Sequence, residues 1–96
     1  MPVLLAIALA AAADTTGPSM SRWANCMSAY AAPRLSSGTT EQIVDRGFKA
    51  CQKWEDAAHK AWDYDSGPNV FVGVKYHVRQ IMLQRIAQAK QQRGLS

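Results

Sequence analysis

Residues 39–63 read TTEQIVDRGFKACQKWEDAAHKAWD, and this stretch decides the class of fold. Set at about 100° per residue, Ile43, Val44, Gly47, Phe48, Cys51, Trp54, Ala58, Ala61 and Trp62 share one face. Asp45, Lys49, Gln52, Lys53, Asp56 and Lys60 share the other. A period of two residues separates nothing here, so the segment reads as an amphipathic helix from about Glu41 to Asp63. Thr39 or Thr40 caps its start, and Thr39 with Gln42 three residues later has the form of a capping box. Asp45 with Lys49, and Asp56 with Lys60, stand at the i,i+4 spacing that supports a helix by about 0.2–0.5 kcal/mol per pair.

Upstream, Met20, Trp23, Cys26, Met27 and Tyr30 recur at spacings of three and four. They predict a helix from Ser19 or Met20 to Ala31, stopped by Pro33, which disfavours helical geometry in the residue before it. Leu35-Ser36-Ser37-Gly38 then reverses the chain. Downstream, Asp65-Ser66-Gly67-Pro68-Asn69 is a strong break. Beyond it Phe71, Val74, Val78, Ile81, Met82, Ile86 and Ala89 keep helical spacing to about Gln92, and Gly94 suits the exit. The β-branched opening of this segment, Val70 to Val74, favours an extended start, but its spacing favours helix. The expected fold is all-α: three helices in one small domain.

The N-terminus predicts a compartment. Val3 to Leu9 is an unbroken apolar run, Ala10 to Ala13 are small, and Asp14 turns polar. A short apolar core ahead of an A-x-A site is what a signal peptidase reads, with cleavage expected between Ala13 and Asp14. No Lys or Arg precedes the run, so the α-amino group alone supplies positive charge there. As a helix the apolar segment rises only about 16 Å, against a hydrocarbon core of roughly 30 Å, too short to span. Residues 1–13 are therefore read as a signal peptide, residues 14–96 as a single domain, and the protein as periplasmic or secreted.

A domain this small buries a limited core and often needs a staple. Cys26 and Cys51 are the two cysteines, and an even count in an exported chain reads as one disulfide. Each lies on the apolar face of one of the first two helices, which the bridge would join. Cys51 stands further from the connecting loop than Cys26, so either the loop absorbs the offset or the helices cross at an angle. The arrangement Trp23-x-x-Cys26 followed by Ala50-Cys51 resembles one in small exported bacterial proteins. The resemblance implies a disulfide-linked helical pair and carries no activity with it.

The net charge of +4 is uneven. From Ser66 to the end there are five bases, Lys75, Arg79, Arg85, Lys90 and Arg93, and no acid. On the third helix Lys75, Arg79, Lys90 and Arg93 flank the apolar stripe and Arg85 lies within it. Bases placed this way can lay their stems along the stripe and reach an anionic surface. They also favour the helix macrodipole with no partner at all.

Catalytic patterns are missing from the sequence. There is no nucleophile elbow, paired-carboxylate pattern or phosphate-cradling glycine loop. His59 and His77 have no ligand partner at a metal spacing and read as solvated. Asp63 to Asn69 has a faint likeness to a calcium loop, but Pro68 stands where that loop needs Gly and Val74 where it needs Glu. Trp23, Trp54 and Trp62 all fall on apolar faces and read as core. The sequence thus predicts a non-enzymatic exported protein without cofactor or metal, and without nucleic acid or a membrane span in the mature chain. Its basic C-terminal helix would bind an anionic envelope surface or an acidic protein partner. The alternative is a periplasmic inhibitor or chaperone-like accessory that uses exposed apolar surface.

Overall fold

The computed structural model describes residues 16–95, with the side chains of residues 17–95. The signal read in residues 1–13 lies outside the described residues. Among those described there are four α-helices: α1 (Thr16–Ala31), α2 (Thr40–Ala50), α3 (Gln52–Ser66) and α4 (Phe71–Gln92). A 3-10 turn, Ala32–Arg34, follows α1 and carries Pro33. The all-α expectation holds, while the expected count of three helices does not.

The difference lies at Cys51. Residues 41–63 were expected to form one helix, but Cys51 takes φ −104° and ψ 18°, ending α2 and starting α3. The hydrogen-bond ladder survives on both sides of it. The Cys51 N–H donates to the Gly47 carbonyl at 2.9 Å, and the Cys51 carbonyl accepts from Trp54 and Glu55, both at 3.0 Å. One residue out of helical geometry interrupts the helix while leaving Cys51, Trp54, Ala58 and Trp62 at their three- and four-residue spacings. Periodicity therefore does not register the break. The cysteine offset is accommodated at this joint. α1 packs against both α2 and α3, more extensively against α3, and the Cys26–Cys51 disulfide sits at the joint with its Cα atoms 5.9 Å apart.

Local chemistry fixes the ends. The Thr39 hydroxyl accepts from the Gln42 N–H at 3.1 Å and the Gln42 side chain accepts from the Thr39 N–H at 3.0 Å, so the capping box forms in full. Pro18 lies in the first turn of α1, where its missing N–H costs nothing, and α1 begins at Thr16, three or four residues earlier than expected. At the other terminus the Leu95 N–H reaches the Lys90 carbonyl at 2.7 Å and the Gly94 N–H reaches Gln91 at 3.1 Å. This is a Schellman closure, and it needs the left-handed φ of 71° that Gly94 supplies.

Trp23, Met27, Ile43, Val44 and Cys51 are the largest fully buried side chains. Close approach of α1 and α2 depends on Gly47: a Cβ there would stand 3.2 Å from Met27 Cε and 3.5 Å from the Tyr30 ring. A run of rings carries the core across to α4. Phe48 lies 6.0 Å from Trp23, Trp23 lies 5.4 Å from Phe71, and Phe71 lies 4.4 Å from the His59 imidazole, nearly parallel to it at 8°. Phe71 is the first residue of α4, so this stack fixes where the last helix begins.

Candidate binding groove

The basic residues of α4 are mostly committed within the fold. Lys75 pairs with Glu55 of α3 at 2.8 Å, and its ammonium stands 5.0 Å from the centre of the Phe48 ring. Arg79 reaches Asp45 of α2 at 3.3 Å. Asp45 thus turns to α4 rather than to Lys49, its expected partner one turn along its own helix. Lys90 is 6% exposed and donates to the Gly38 carbonyl at 2.7 Å, tying the end of α4 to the loop ahead of α2. Arg85 is half-buried and engaged within the molecule, and Arg93 is exposed. These five cations are therefore not gathered on one free face.

A different surface is left open. Between α1, α3 and α4 lies a groove of about 520 Å³. Met20, Trp23 and Ala24 of α1 and Trp62 of α3 form one wall. Val74, Val78, Ile81 and Met82 of α4 form the other, with the exposed Val70, Gly73 and His77 at its lip. His77 is the one titratable side chain in this lining. Within the walls, the indole Nε1 atoms of Trp23 and Trp62 are buried without a hydrogen-bond partner. Buried donors are normally paired, so each represents a cost the fold carries along the groove.

Apolar exposure is concentrated on the same end of the molecule. Among the described residues Tyr64 at 87%, Val72 at 78%, Tyr76 and Val70 are the large hydrophobic residues left in solvent. All four belong to the end of α3, the α3–α4 connection or the first turns of α4. His59, expected to be solvated, is exposed but held: it stacks on Phe71 and its Nε2 stands 3.3 Å from Asp63 Oδ2. Among the described residues no helix is long and apolar enough to cross a membrane, and no group of three or more His, Cys, Asp or Glu could hold a metal ion.

The tryptophans were legible as apolar-face residues, and Trp23 is indeed fully buried. That two of them also wall a groove was not legible. A trace exists in the small residues Ala24 and Gly73, which face the same space from α1 and α4 and leave it unfilled. No family model, curated protein or solved structure matches this chain.

Proposed function

We propose that this is an exported, non-enzymatic binding protein that takes an aliphatic ligand into the groove between α1, α3 and α4. The observation that carries the reading is the groove itself. Its volume, about 520 Å³, falls in the class of small-molecule sites, which are concave and predominantly apolar with few polar groups. Its lining meets that description, with two indole rings and an aliphatic row facing each other. Export is supported by the signal pattern in residues 1–13 and by the disulfide, a bond that persists in oxidising compartments. A chemical role is not part of the reading, because a lone His77 lacks the second group that acid–base or nucleophilic work requires.

The acid-free stretch from Ser66 onward favours a second reading, contact of α4 with an anionic envelope surface. It ranks below the first because Lys75, Arg79 and Lys90 already have partners. Titration with dodecanol, followed by indole emission, tests the first reading. A saturable change that salt does not weaken is expected, since apolar contact is not screened. Silence towards dodecanol, together with binding to anionic vesicles that falls steeply with salt, would replace the first reading with the second.

A further inference from the structure

We propose that the ligand is a long-chain fatty acid, lying along α4 with its carboxylate at the Arg85 end of the groove; this rests on the groove being an aliphatic binding site. The α4 wall runs from Val70 to Met82, about 18 Å of helix, which suits one extended alkyl chain. Burial of such a chain strengthens binding by about fourfold per methylene.

Charge decides which way round it lies. Arg85 follows Ile81 by four residues and Met82 by three, so it continues the groove face by one further turn. α4 itself contains no acid, and Asp45, an acid of α2 that faces it, is taken up by Arg79 at 3.3 Å. The opposite end is different: Trp62 is followed by the half-buried Asp63, which has His59 3.3 Å away, and Asp65, itself engaged within the molecule, lies just beyond. A carboxylate is drawn to the first end and repelled from the second. The unpartnered Nε1 of Trp62 and the imidazole of His59 beside Asp63 favour the second end, but donors beside a carboxylate do not outweigh a guanidinium. Arg85 already has a contact within the fold, but its guanidinium carries five N–H donors and can serve a head group as well.

The test uses the full chain and a set of probes with one tail and different heads, each below its micelle concentration: dodecanoate, dodecanol and dodecyltrimethylammonium. Dodecanoate is expected to bind about tenfold more tightly than dodecanol, the increment of one charge-assisted hydrogen bond, and the cation most weakly. Arg85→Gln should bring dodecanoate down to the dodecanol level while leaving dodecanol unchanged, and Trp62→Phe should leave the order intact. Equal affinity for the three heads would overturn the fatty-acid assignment and leave the aliphatic reading standing. Failure of dodecanol and dodecanoate alike would remove both. A loss of dodecanoate on Trp62→Phe, rather than on Arg85→Gln, would reverse the orientation and refute the charge argument. If Arg85→Gln does not fold, the comparison of heads on the unaltered protein decides alone.

Discussion

Gly73 is the most informative single position in the molecule. It is the third residue of α4, it lies on the lip of the groove, and its backbone does not take a positive φ. An ideal Cβ built on it meets nothing within 4 Å. Glycine within a helix costs about 0.5–1 kcal/mol relative to alanine, because it loses more backbone freedom on folding. The first turn sits at the low end of that range, since helical geometry there is less fully constrained. Gly73→Ala should therefore stabilise the protein by about 0.5 kcal/mol, a rise in Tm of roughly 2–4 °C for a domain of this size. Thermal unfolding followed by far-ultraviolet circular dichroism, with the disulfide intact, measures it. Gly73→Leu completes the argument. Its side chain enters the groove, so it should keep the fold and lower dodecanol affinity at least about tenfold, a loss of about 1.4 kcal/mol. A lower Tm for Gly73→Ala would refute the open space, and unchanged dodecanol binding by Gly73→Leu would show that the ligand sits elsewhere.

Two further outcomes concern stability. The disulfide closes a sequence separation of 25 residues, worth about 3.5 kcal/mol in the chain-entropy model, so reduction should lower the urea midpoint by about 1–3 M; a loss below about 1 kcal/mol would mean that packing at the Cys51 joint suffices without the bond. Lys90→Met keeps the buried stem but removes the donor to the Gly38 carbonyl, and should cost about 1–2 kcal/mol in urea unfolding. No change there would show that the ammonium contributes nothing beyond its packing.

The features legible in the sequence were those written locally. Apolar faces at helical spacing, the stop at Pro33, the break at 65–69, the capping box of Thr39 and Gln42, and the exit at Gly94 all follow from neighbours a few residues apart. The disulfide followed from a count of two and a compartment. The break at Cys51 was hidden because it preserves side-chain spacing while taking one residue out of helical geometry. The fate of the basic residues was hidden for another reason. A helical wheel shows that Lys75, Arg79 and Lys90 flank an apolar stripe, but not that Glu55, Asp45 and the Gly38 carbonyl will face them. The groove was the least legible of all, being a space that three helices fail to fill. Its existence depends on how far apart α1, α3 and α4 settle. The small residues Ala24 and Gly73 carried the early sign, being too short to fill the space that they face.

α4 is fastened at both ends. Its first residue is clamped by the rings of His59 and Trp23, and its last turns are held by Lys90 on a carbonyl fifty-two positions earlier in the chain. A rod held at each end does not swing aside as a lid from either, so a ligand of the proposed kind would enter along the open flank of the groove. Uptake and release would then be a matter of diffusion past Val70, Gly73 and His77 rather than of a gated opening. Such a protein would exchange its cargo quickly, handing it on by encounter instead of storing it.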